Sequence, residues 1–265
     1  MAVVEPPPEA LADRFTSGSA RGWLGITWAL VTAVALAAGT GWLAVWMAAL
    51  AAIAASQVAC VVPAQRRRGS ASTGRPLMVF SALATAGSLP LAATKGNLGL
   101  LIAMGGCVLV TMFGQVGGST EARAAEATRV QLLAMAVGLA ASSVVLVHSM
   151  DPSSALFLLA VAAAYDLAAY LVGTGATSRW EGPAAGVAAI LPVSMVAAAL
   201  ITTLGSSDVV ALGVAATGLA PAGAAVTRRL LPSIKTFDLT PTLRRFVSLL
   251  VLGPVWALLT SRFLG

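Results

Sequence analysis

Nine apolar stretches separated by short polar loops run along the chain, at residues 22–40, 42–62, 77–93, 98–114, 132–148, 155–173, 184–204, 209–227 and 245–263. Each is about 17–21 residues long, close to the ~20 that an α-helix needs to cross the hydrocarbon core of a bilayer. Several are rich in Ala, Gly and Ser, which lets neighbouring helices approach closely. The pattern predicts an all-α, polytopic integral membrane protein of about nine transmembrane helices. Ahead of it, residues 1–20 (MAVVEPPPEALADRFTSGSA) are Pro-rich and mixed in charge. They predict a disordered cytoplasmic tail, without the basic start, apolar core and cleavage site of a signal peptide.

Charge orients the spans. With the N-terminus inside, the inner loops hold Arg14, Arg21, Arg66, Arg67, Arg68, Arg75, Arg123, Arg129, Arg179, Arg228, Arg229, Lys235, Arg244 and Arg245. The outer side receives only Lys95 and Arg262. That partition follows the positive-inside rule, and a missed or extra span would scramble it. The expected topology is nine spans, N-terminus cytoplasmic and C-terminus outside, in the cell membrane. Composition agrees: 58% of residues are hydrophobic and only 10% charged, against about 25% charged in soluble domains. The net charge of +6 therefore reads as topology, and no nucleic-acid partner is expected. Cys60 and Cys107 fall inside apolar spans and read as small buried hydrophobes. With His148 the sole histidine, a zinc or haem centre built from several such ligands is excluded. A bound metal would need carboxylates, which points to magnesium.

One span breaks the apolar pattern. Asp166 lies inside 155–173, about seven residues or ~10 Å from the cytoplasmic end. An acid at such depth costs roughly 2.5–3.5 kcal/mol on insertion scales, so it is a functional-site candidate by default. Against this stands a packing role, a hydrogen bond to a Ser, Thr or Tyr across the bundle. Tyr170 shares its helix face one turn on, and a short polar loop with Arg179, Trp180 and Glu181 follows. Pro192 and Pro221 in the next two spans would kink them and open a cavity toward the acid. The loop after the eighth span gathers Arg228, Arg229, Lys235, Arg244 and Arg245. Such a collar serves orientation and anionic headgroups, or a phosphate site facing Asp166.

Two of these stretches resemble the phosphatidate cytidylyltransferases, polytopic enzymes that convert CTP and phosphatidate to CDP-diacylglycerol and pyrophosphate. That family carries Asp-(Thr/Ser)-Gly-Ala-Tyr-Phe-x-Gly in a late span and a loop ending Lys-Lys-Thr-Trp-Glu-Gly. Here the chain reads Asp166-Leu167-Ala168-Ala169-Tyr170-Leu171-Val172-Gly173, then Ser178-Arg179-Trp180-Glu181-Gly182. The family's later Asp-Arg-x-Asp-Ser aligns with Arg244-Arg245-Phe246-Val247-Ser248, so both aspartates are replaced, by Arg244 and Val247. Its His-Gly-Gly stretch is missing, both loop lysines are absent, and its Lys-Asp pair reads Lys235-Thr236 with Asp238 nearby. The resemblance covers about residues 155–263 and divides the chain into the tail 1–20, a five-helix region 21–150 and a four-helix region 151–265 resembling the cytidylyltransferase core.

The resemblance implies catalytic roles for Asp166 and Glu181, with Mg2+ held by Asp166 and Asp238. It implies phosphate or nucleotide contacts from Arg179, Arg228, Arg229, Lys235, Arg244 and Arg245. Cytidylyl transfer gathers several negative charges and depends on positioned cations, so replacing an Asp ligand by Arg is a serious departure. Two readings stay open: a divergent enzyme of phospholipid metabolism using CTP and phosphatidate, and an inactive relative. The latter would bind a membrane lipid, a partner membrane protein or a second copy as a homodimer. A small transporter with Asp166 as its ion site is the third, without an inverted repeat to support it.

Overall fold

A computed structural model describes residues 19–66, 75–115, 121–173, 178, 180–230 and 241–264. Among them there is no strand. The helices are α1 (Ser19–Ala38), α2 (Thr40–Arg66), α3 (Arg75–Ala93), α4 (Gly96–Gln115) and α5 (Glu121–Met150). They continue with α6 (Pro152–Gly173), α7 (Glu181–Leu200), α8 (Ser206–Leu230), α9 (Pro241–Val247) and α10 (Leu249–Phe263). Six stretches are long and apolar enough to cross a membrane: Thr40–Cys60, Ala127–Met150, Pro152–Gly173, Glu181–Leu200, Ser206–Leu230 and Thr242–Phe263. Thr27–Ala38, Met78–Ala93 and Gly96–Val110 are shorter apolar helices.

Two boundaries differ from the hydropathy pattern for physical reasons. Helix α5 begins at Glu121 rather than at 132. Its first turns, EARAAEATRV, are good helix formers too polar to register as a span. The last stretch begins at Pro241 rather than at 245 and runs through α9 and α10, which meet at Ser248 with its backbone still helical, φ −66° and ψ −35°.

Tight reversals set neighbours antiparallel. Gly39, at φ +103°, turns α1 into α2, and Gly96, at φ +74°, turns α3 into α4. Helices α2, α3 and α5 pack on one another, α6 pairs with α7, and α10 is wedged between α5 and α8. The last helix therefore ties the earlier spans to the later ones. Small residues permit this, since Gly138 of α5 lies against Leu89 and Ala86 of α3, and Gly253 of α10 lies against Ser143 of α5.

Polar groups near the α5–α6 turn are satisfied internally, as a bilayer requires. His148 Nδ1 is 3.0 Å from Thr40 Oγ1 and Nε2 is 3.1 Å from the Leu36 carbonyl, fastening the end of α5 to the α1–α2 turn. Asp151 caps α6, accepting from the backbone N–H of Ser153 and Ser154 and from the Thr203 hydroxyl. Trp256 of α10 donates to Ser154 Oγ at 3.2 Å and meets the Phe157 ring edge-on at 4.9 Å. Both residues thus have structural work. Cys107 is buried as expected, whereas Cys60 is exposed on the surface of α2.

Helix α8 makes the closest approach to the last span. A Cβ on Gly223 would lie 1.7 Å from the Val247 carbonyl oxygen, so only glycine fits. Gly218, one and a half turns earlier, faces open space. Gly223→Val should therefore lower the melting temperature in detergent sharply, by more than the ~1–3 kcal/mol usual for overpacking, because the clash is with backbone. Gly218→Ala should leave it unchanged or slightly raised.

Candidate functional site

The junction of α9 and α10 sits against the costly acid of α6. Ser248 is completely buried, and its hydroxyl donates to Asp166 Oδ2 at 3.0 Å. One turn toward the N-terminal end of the span, the Arg244 guanidinium lies 4.2 Å over the Tyr170 ring. The two contacts share a register. Asp166 and Tyr170 are four residues apart on α6, Arg244 and Ser248 four apart on an antiparallel partner, so each pair presents one helix face. Stretches 82 residues apart in sequence are thereby joined. Arg244 and Arg245 both act electrostatically on Asp166.

Arg245 turns the other way. Its guanidinium lies 4.9 Å over the Trp28 ring of α1. Trp28 packs on Trp46 of α2 at 5.5 Å between ring centroids, and Trp46 Nε1 donates to Thr32 Oγ1 at 3.0 Å. Thr32 in turn donates to the Trp28 carbonyl at 2.8 Å. The adjacent arginines of α9 are thus laid on two different aromatic surfaces, one from α6 and one from α1.

Helix α7 frames the cytoplasmic end of α6. A Cβ on Gly182 would meet the Ala169 carbonyl at 2.9 Å, and one on Gly186 would meet the Tyr165 ring at 2.6 Å. The Trp180-Glu181-Gly182 stretch is therefore first of all a close-packing device. Trp180 is exposed, and Glu181 is exposed with Oε1 accepting from the Ser178 N–H at 2.9 Å, an N-terminal cap for α7. Gly182 packs at the level of Gly173, seven residues or ~10 Å along α6 from Asp166, so Glu181 and Asp166 do not form one carboxylate pair. Arg228 and Arg229 are exposed in the last turn of α8, where Arg228 Nε donates to the Ala224 carbonyl at 3.3 Å. Arg228 is within electrostatic reach of Tyr165. Arg179, Lys235 and Asp238 lie outside the described residues.

Among the described residues the donor set does not fit a magnesium ion; Asp238, the other ligand that the resemblance implies, lies outside them. Mg2+ demands near-octahedral oxygen ligands, commonly one or two carboxylates beside phosphate and water. Here one Asp166 oxygen is engaged by a hydroxyl, Glu181 caps its own helix, and the nearest charges are guanidinia. Among the described residues no three His, Cys, Asp or Glu side chains gather. The arrangement favours an anion beside Arg244 and Arg245 over a cation beside Asp166.

Sequence reasoning singled out Asp166, Tyr170 and the arginines but not Trp28. Its signal is faint: Trp28 and Trp46 straddle the Gly39 turn, and a hairpin brings such positions together. Compared with family models, with curated proteins and with solved structures, the chain matches none.

Ser248→Ala leaves Asp166 Oδ2 without its hydroxyl donor in an apolar setting. A loss of about 1 kcal/mol of stability is expected, between the membrane average for such bonds and the cost of an unsatisfied buried group. Thermal unfolding in detergent measures it. Ser248→Thr, which keeps the hydroxyl, should lose less than Ser248→Ala if the bond rather than the volume matters.

Proposed function

We propose that the chain is a cytidylyltransferase-like membrane protein that binds a lipid phosphate on the cytoplasmic side of the Asp166 site without the metal-assisted transfer step. The observation that carries this reading is the paired contact of Asp166 with Ser248 and Tyr170 with Arg244. The first member of each pair belongs to the Asp166–Gly173 stretch that resembles the enzyme family, and the second to the segment that aligns with the family's Asp-Arg-x-Asp-Ser. At the same place Arg244 stands where the resemblance has an aspartate. A guanidinium neutralises phosphate directly and offers in-line pairs of N–H donors. It cannot coordinate a metal ion. Phosphate binding is thus supported more strongly than cytidylyl transfer.

The reading includes nine membrane crossings, with the three shorter apolar helices completing the six long ones, and the N-terminus inside the cell membrane. That orientation brings Arg228, Arg229, Arg244 and Arg245 to the cytoplasmic leaflet, whose anionic lipids attract basic groups by about 1 kcal/mol each. An alkaline phosphatase fused after Gly265 should then be active outside the cell. A reporter active only in the cytoplasm would overturn the orientation.

Purified protein should retain phosphatidate through gel filtration in a neutral detergent, yet form no CDP-diacylglycerol from CTP and phosphatidate with magnesium present. Release of pyrophosphate with stoichiometric CDP-diacylglycerol would establish the enzyme instead. Rescue of a cell lacking its CDP-diacylglycerol synthase would say the same. Failure to retain any anionic lipid would sink the binding reading.

A further inference from the structure

We infer that Trp28 of α1 is a positioning residue of the phosphate site, holding Arg245 so that Arg244 and Arg245 clamp one lipid phosphate between α1 and α6. The inference rests on the lipid-phosphate reading and adds the wall, the route and the selectivity of the site. Stacking engages the flat face of a guanidinium and leaves its N–H groups, which lie in the plane, directed outward at the edge. Arg244 lies over the Tyr170 ring and Arg245 over the Trp28 ring, so each guanidinium is braced by an aromatic side chain. Trp28 is itself fixed by Trp46 and by the bonds through Thr32. Two arginines restrained in this way lose little side-chain freedom on binding phosphate, which preorganises the site.

The location selects a lipid. Among the described residues α1 packs mainly against α2 and meets other helices at most in passing, which leaves much of its surface uncovered by them. Leu30 and Val34 of α1 and Leu167 and Leu171 of α6 are exposed, apolar surface suited to acyl chains. A headgroup held by Arg244 and Arg245 would leave its chains running outward along these walls. Among the described residues Asp166 is the carboxyl that faces the two guanidinia, so these three groups carry a cationic excess that an anionic headgroup complements. An unsubstituted phosphate, as in phosphatidate, presents more oxygens to two forks than a phosphodiester headgroup does.

The test uses the full chain in nanodiscs of phosphatidylcholine, titrated with labelled phosphatidate or phosphatidylglycerol. Wild type should favour phosphatidate. Trp28→Leu, which removes the ring, and Arg245→Lys, which keeps the charge but not the fork, should each weaken phosphatidate binding by about tenfold and erase that preference. Trp28→Phe should restore most of both. Lipid selectivity is the decisive readout, because a purely structural Trp28 would alter melting temperature without changing the ratio of the two lipids. Wild-type preference kept in Arg245→Lys and Trp28→Leu would overturn the clamp while leaving the lipid-phosphate reading standing. Equal competition by inorganic phosphate would overturn the lipid as occupant. No phosphatidate binding by wild type would overturn the underlying reading, and the clamp with it.

Discussion

A carboxyl group in the hydrocarbon interior must find a donor, and the bond from Ser248 to Asp166 is the constraint around which the last third of the chain is arranged. Ser248 stands at the junction of α9 and α10 with a helical backbone, φ −66° and ψ −35°, so its hydroxyl reaches Asp166 Oδ2 from within one apolar span, Thr242–Phe263. At the same level Gly223 allows α8 to press against the Val247 carbonyl. On the other side Gly182 and Gly186 let α7 press against α6. The polar contact thus lies amid a series of small-residue approaches that composition alone leaves unconnected.

The same contact fixes where the arginines can go. Once Ser248 meets Asp166, the antiparallel register places Arg244 beside Tyr170 without further choice. Arg245, about 100° further round the helix, must leave in another direction. It finds the Trp28 ring. Among the described residues neither guanidinium has a dedicated carboxylate of its own, for Asp166 faces both.

What the sequence disclosed follows the range of each interaction. Apolar stretches of membrane length are local in the chain, so the α6, α7 and α8 spans were legible from hydropathy. The acid at 166 was legible because ionisable groups are rare at that depth. Its partner was not, since Ser248 is one of many serines and only the spatial register selects it. Glu181, a conspicuous charged residue in a polar loop, accepts from the Ser178 N–H just ahead of α7, a local bond that the sequence does not announce. His148, singular in composition, proves to be a structural fastener between α5 and the α1–α2 turn. Trp28 escaped notice because an aromatic residue in an apolar span carries no mark of function until a charge is laid on it. Only geometry relates the Asp166 and Ser248 segments to each other and to the first helix.

That relation alters how the first five helices are understood. From the sequence they are distinguished only by being apolar, which makes them look like a membrane anchor for a site built elsewhere. Yet α10 packs against α5, α9 packs against α2, and Arg245 reaches α1. The arginines therefore take their bearings from both ends of the chain. A metal ion can be held by a compact group of carboxylates on two neighbouring helices, whereas long arginine side chains need broad surfaces to hold them still. In this chain the positioning of the guanidinia falls to aromatic rings, and one of those rings belongs to the first helix.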